Sequence, residues 1–158
     1  MQAFSILEFI DKAVKEVIGT YLAKTPVLKD KKVSTEDFGE FKDVSVIIGL
    51  ASEKLEGVFI VSYNKEVIFD FMASALGEKV EEVNQDVVDA SGELTNQICG
   101  VFRRKFERTG ISLQASVPSV VTGKNHSIRA PSKIARMVFC YQLDGSGAFT
   151  IEFGLVKK

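Results

Sequence analysis

Glu93 and Asn96 stand three positions apart in the run Asp89 to Gly100, a spacing that sets two side chains one above the other on a helix. An Asn amide offers two N–H donors and one acceptor, but it is neither a useful base nor a nucleophile. It can only position another group, such as a water. A Glu one turn earlier cannot occupy the same point in space, yet it can reach a cation nearby.

The surrounding residues decide whether the pair faces outward. At ~100° per residue, Glu93, Asn96, Gly100, Arg103, Arg104 and Glu107 all fall within about 60° of Asp89. Val87, Ala90, Leu94, Ile98, Val101 and Phe102 take the opposite side, the face a sheet would cover. The plainest reading of the polar stripe is a solvated helix face, since surface helices are rich in Glu and Asn. Gly100 argues against it. A glycine well inside a helix costs about 1 kcal/mol relative to Ala, and on an outward face core packing does not explain it. Lacking a side chain, it lets another backbone approach, which makes the stripe a candidate docking surface. Gly92 puts a second small residue near the same edge, although a tolerated surface glycine is the competing explanation.

The rest of the chain supplies little competing chemistry. Cys99 and Cys140 form no C-x-x-C, and His126 is the single imidazole, so neither a zinc site nor a disulfide framework is expected. His126 falls with Lys124 and Asn125 in an expected turn after Gly123 and is read as structural or solvated. Phe102 and Phe106 are read as core. Lys and Arg number 20 against 21 Asp and Glu, a net charge of −1, which lacks the basic surface that nucleic acid requires. The longest apolar run, Val46 to Ala51, falls far short of the ~20 residues of a membrane span. The stretch Met1 to Ile10 has no basic start and is broken by Glu8. These features lead to the expectation of a soluble, cytoplasmic protein with no membrane or nucleic-acid partner.

The elements that must hold the stripe follow from periodicity. With 158 residues, 46% hydrophobic and 26% charged, residues 1–158 are expected to form one domain with its own core. Leu7, Ile10, Val14, Val17, Ile18 and Tyr21 recur at helical spacing between Phe4 and Leu22. A polar stretch after Pro26, running through Glu40, has room for a short edge strand around Lys31 to Thr35. Asp43 to Ser52 and Glu56 to Tyr63 read as an antiparallel hairpin. Asn64 reads as the cap of a helix from Lys65 to Leu76, which Gly77 ends. Asn84 reads as the cap of the long helix, closed by Thr109 and Gly110. Strands follow at Ile111 to Ser116, Ser119 to Thr122 and Ile134 to Leu143, then a turn at 144–147 and a last strand ending near Val156. In that strand Phe149, Ile151, Phe153 and Leu155 alternate with Thr150, Glu152 and Gly154, which predicts one buried face and one largely polar face. The order predicts an α+β domain of two pseudo-symmetric halves, each a long helix plus antiparallel strands, with the helices packed on an antiparallel sheet.

The run Asp-Ala-Ser-Gly-Glu-Leu-Thr-Asn-Gln-Ile-Cys-Gly, with Pro118 22 positions after Asn96, resembles the signature of the CheC/CheX/FliY chemotaxis phosphatases, most closely CheX. The resemblance extends to Asp43–Leu50, Gly57–Ser62, Pro118–His126 and Phe149–Leu155. It implies a CheC-like fold and a phosphatase that hydrolyses the aspartyl phosphate of a phosphorylated CheY-type response regulator. Glu93 and Asn96 would be the catalytic pair, Asn96 orienting the water and Glu93 engaging the regulator's active-site lysine. Asp89, Gly92, Gly100, Arg103 and Arg104 would face the partner. The magnesium ion would belong to the regulator, with no cofactor in this chain. The alternative is a non-catalytic adaptor of the same fold, like the flagellar switch proteins. Glu8 and Asp11 repeat the spacing of the pair in the first helix, but with a carboxylate where the amide should be, so one site per chain is expected. CheX relatives are also dimers joined through their sheets, and the apolar strand Met137 to Tyr141 is a candidate edge or, equally, an internal strand.

Overall fold

In a computed structural model, which describes residues 3–35, 42–124, 126, 128 and 134–158, three helices pack on one antiparallel sheet. The elements are α1 (Ala3–Leu22), β1 (Val27–Ser34), β2 (Val44–Ala51), β3 (Leu55–Tyr63), α2 (Lys65–Phe71), α3 (Gln85–Phe106), β4 (Gln114–Ala115), β5 (Ser119–Thr122), β6 (Arg136–Leu143) and β7 (Gly147–Lys157). The sheet order is β1-β6-β7-β3-β2-β4, and β5 also pairs with β2. Exchanging β1 with β5, β2 with β6 and β3 with β7 returns the same order read from the other edge. This is an equivalence of strand order. It pairs each half's inner hairpin with the other's, through β3 and β7.

One sheet face carries Val44, Val46, Ile48, Phe59, Val61, Tyr63, Phe139, Tyr141, Phe149, Ile151 and Phe153, all buried beneath the helices. α1 lies beside α3 and contributes Ile10, Val14, Val17 and Ile18. Phe102 stacks edge-on against Phe153 with ring centroids 4.9 Å apart, the geometry favoured by aromatic quadrupoles.

Several sequence expectations need correction. The second sheet face is mixed in composition and largely buried: Ser45, Ser62, Arg136, Thr150 and Glu152 share it with Ile60 and Val138, and all seven are buried. Part of the reason is the segment before β6. It crosses β7 at Gly154, where a Cβ would lie 2.9 Å from both Ala135 O and Ile134 Cγ2. Only a residue without a side chain admits that approach. Arg136, turned the same way, faces Glu152 at 3.5 Å and donates to Ile134 O.

Asn64 does not cap α2 with its side chain. Its Oδ1 accepts from Ala148 N at 2.8 Å, and Asp43 Oδ2 takes the Lys65 N–H instead. The helix keeps α geometry only to Phe71, widens to a π turn over Met72–Leu76 and ends at Gly77, whose φ is +67°. β1 begins earlier than expected, at Val27, because it pairs with β6 from Arg136 to Gln142. β6 is therefore flanked by β1 and β7, so Met137 to Tyr141 is an internal strand and not an edge. The expected strand over Ile111 to Ser116 is reduced to two paired residues. Asn125 and the end of the polar stretch, 36–41, lie outside the described residues.

Candidate active site

α3 is placed by both its ends and its buried face. Asn84 Oδ1 accepts from Val87 N at 3.0 Å, which satisfies one of the free N–H groups that open a helix. One 3-10 turn after Phe106, Gly110 with φ +88° closes it. Beneath the stripe, Thr95 Oγ1 donates to Ser91 O at 2.8 Å, so the 2.8 Å contact with Tyr63 has the phenol as donor. Burial pushes the Tyr63 hydroxyl far above its ordinary value. It stays protonated and ties α3 to β3 one residue before Asn96.

With that face fixed, Asp89, Glu93, Asn96 and Arg104 are exposed, as the periodicity predicts. Glu93 Oε1 accepts from Gln97 Nε2 at 2.9 Å, and Asp89 Oδ1 from Gln85 Nε2 at 3.0 Å. The Asn96 amide bonds to nothing among the described residues, so its donors are available to a substrate. Asp89, Gly92, Glu93 and Asn96 line a shallow groove of about 380 Å³, whose other wall includes Pro118 and Val120.

That second wall is built by an irregularity in the sheet. Leu50 faces Ala115 and Ile47 faces Ser119. Three residues, Ser116 to Pro118, therefore stand opposite two, Ile48 and Gly49, which is a β-bulge. Ser116 holds it to the strand, donating N–H to Gly49 O at 2.9 Å and accepting from Gly49 N at 2.8 Å. Pro118 suits the bulge because it has no N–H to give the ladder. Sequence pattern alone does not mark Val120 as part of a site; Pro118, interrupting an alternating apolar and polar pattern, is the available signal.

The glycines of the stripe differ in their surroundings. A Cβ at Gly92 would meet Val120 Cγ2 at 3.7 Å and Pro118 Cβ at 3.9 Å, so this glycine forms the groove floor under its own chain. A Cβ at Gly100 would meet only Arg104 Nη1, at 3.8 Å, and otherwise open space. Arg103 departs from the outward stripe. It is half-buried, its Nη1 donates to Leu113 O at 3.2 Å, and its Nε is buried without a hydrogen-bond partner among the described residues. It anchors the chain leading to β4. Among the described residues no group of three or more His, Cys, Asp or Glu could hold a metal, and no helix is long and apolar enough to cross a membrane.

The family described as chemotaxis phosphatase CheX matches residues 44–142, a span that contains α3, the groove and the bulge. This chain belongs to the CheX family. No curated protein matches it at the sequence level. Among solved structures, it resembles a CheC-like superfamily protein of Shewanella sp. PV-4, with a TM-score of 0.88, 24% identity and 99% of each chain covered. The chemotaxis protein CheX of Desulfovibrio desulfuricans gives a TM-score of 0.83 at 28% identity, over 96% of this chain and 99% of that one. A CheX of Borrelia burgdorferi, solved with CheY, BeF3 and Mg2+, gives 0.74 at 19% identity, over 94% of this chain and 96% of that one.

Within this CheX-family chain, the first helix holds no equivalent free pair. Glu8 is bound to Lys12 at 2.6 Å, a contact that holds its carboxyl below the usual range. Asp11 accepts from Tyr141 OH at 3.0 Å and pairs with Lys15 at 2.8 Å. His126 also has internal partners. Its Nδ1 must donate to Gly123 O, 2.6 Å away, because a carbonyl can only accept. In the neutral ring Nε2 then accepts from Ser45 Oγ at 2.7 Å.

Proposed function

We propose that this chain hydrolyses the aspartyl phosphate of a CheY-type response regulator. The observation that carries the reading is an exposed Asn96 amide without a partner among the described residues, one helical turn from the Glu93 carboxylate, in a groove of a CheX-family fold. Asn96 orients a water toward phosphorus. It needs no basicity for this, since an acyl phosphate already hydrolyses unaided. Orientation worth roughly 2–3 kcal/mol corresponds to about 30–160-fold in rate. Glu93 holds the regulator's active-site lysine by a charge-assisted hydrogen bond and so sets the register of the complex. The Borrelia burgdorferi complex, in which a CheX relative was solved with CheY, BeF3 and Mg2+, supports the choice of partner and assigns Mg2+ to the shared assembly, where we place it on the regulator.

In this reading Asp89, Gly92, Gly100 and Arg104 form the partner-facing rim, and Arg103 acts indirectly by holding the Leu113 segment. The reaction takes place in the cytoplasm, and the working unit is a homodimer, as the family resemblance implies. The intact Glu93 and Asn96 pair favours an enzyme over a non-catalytic adaptor of the same fold.

The test is phosphate release from a panel of phosphorylated response regulators with and without the protein. Acceleration of at least one regulator is expected. Asn96→Ala should bring that rate back to the regulator's unaided rate while binding and thermal midpoint stay close to the parent's. Release by Asn96→Ala at the parental rate would reject the mechanism, and light scattering at the mass of a monomer would reject the dimer.

A further inference from the structure

The most exposed large apolar side chain among those described is Val117, 86% accessible, and it stands at the middle of the bulge that walls the candidate active site. Its backbone is held on both sides. Ser116 is bonded to Gly49 through both its N–H and its hydroxyl. Pro118 has a fixed φ and lines the groove beside Glu93 and Asn96. Bulges next to active sites re-aim side chains, and this one points a valine into solvent where the fold gains nothing from it.

We propose that Val117 is an apolar anchor for the response regulator, seating beside the acyl phosphate that Asn96 serves; this rests on the phosphatase reading above. Two observations favour the regulator as occupant. Val117 is the chain neighbour of Pro118, which lines the groove, so a partner close enough to present a phosphoryl group to Asn96 comes against it. The same groove is lined by Asp89 and Glu93 and by no basic residue, which complements a lysine on the partner. Because the bulge already holds Val117 in place, little ordering entropy is lost on docking.

The experiment compares KM and kcat of Val117→Ser, Val117→Asp and Val117→Ile against a regulator phosphorylated by a small-molecule phosphodonor. In parallel, calorimetry measures Kd for the same regulator held with beryllofluoride and Mg2+. Val117→Ser should raise KM and Kd about tenfold, Val117→Asp more, and Val117→Ile should restore the parental values, all with kcat within about twofold. Thermal midpoints should not move, since the side chain is exposed. The Ser variant decides the matter should the Asp variant fail to fold. KM and Kd unchanged in Val117→Ser, or a fall in kcat alone, overturns the anchor while leaving the phosphatase intact. A change in molar mass with KM unchanged gives the face to a second copy and also overturns it. A parent that binds yet does not hydrolyse removes the phosphatase reading, and the Kd series still decides the anchor. A parent that does neither removes both.

Discussion

The Gln97 amide donates to the Glu93 carboxylate at 2.9 Å across one turn of α3, while Asn96, between them in sequence, bonds to nothing among the described residues. The two members of the proposed pair therefore start from different states. Asn96 is free, and Glu93 must share its charge with Gln97 or leave it when a lysine arrives. An exposed bond of this kind contributes little net stability, so the exchange costs little. Glu93→Ala should raise KM at least tenfold and lower kcat, whereas Gln97→Ala should change either by less than about threefold. Steady-state kinetics on one phosphorylated regulator checks both, and equal effects from the two variants would show that the carboxylate does not engage the partner.

Gly100 has open space where a side chain would go, apart from Arg104 Nη1 at 3.8 Å. Gly100→Ala should stabilise the free protein by up to about 1 kcal/mol through helix propensity, read as a rise in thermal midpoint. Gly100→Leu should fold equally well but hold the regulator away from Asn96, lowering both affinity and phosphate release. A folded Gly100→Leu variant with parental binding and turnover would make this glycine a tolerated surface residue.

Asp11 repeats the position of Asn96 in α1, but it accepts the hydroxyl of buried Tyr141. Burial, together with the Asp11 charge, pushes that hydroxyl strongly upward, so it is a neutral donor whose acceptor cannot be lost without cost. Asp11→Ala should leave phosphate release unchanged and destabilise the fold by about 1–3 kcal/mol. Denaturant unfolding and kinetics on the same preparation separate the two effects. Loss of turnover with stability preserved would give α1 a functional role.

Cys99 is fully buried in α3, and burial pushes its thiol up to about 11 against a smaller opposite pull from Arg103. Its ordinary value is 9.0, so the folded state holds the proton after the unfolded chain has released it. This contribution to stability is complete below pH 9.0 and is lost as pH rises toward about 11, since the unfolded state binds fewer protons there. Cys99→Ala should flatten the fall in unfolding free energy across that window. At pH 8 iodoacetamide should modify denatured protein much faster than native protein at Cys99, because only the thiolate reacts. Mass spectrometry of the alkylated protein reads the site, and rapid native alkylation at Cys99 would contradict the burial.

Much of this molecule was legible from the order of its residues. The two faces of α3 are a local property, because a period of 3.6 residues fixes which side chains share a side; Val87, Leu94 and Ile98 went inward and Asp89, Glu93 and Asn96 outward. The cap at Asn84 and the stop at Gly110 are equally local. Contacts between distant segments were not legible. Asn64 is a good cap by type, but Ala148, 84 positions away, takes its Oδ1. Arg103 lies at the edge of the polar stripe by periodicity, and the carbonyl of Leu113 turns it inward. Glu152 belongs to an alternating, half-polar strand by pattern, yet the chain crossing at Gly154 and the facing Arg136 bury it. The bulge at Ser116–Pro118 exists because β4 and β5 pair with one strand in registers that differ by one residue. Local periodicity and capping depend on neighbours along the chain, so the helix that carries Glu93 and Asn96 could be read from residue order alone. The groove around them depends on which strand lies beside which and in what register, and those pairings join segments far apart in the chain.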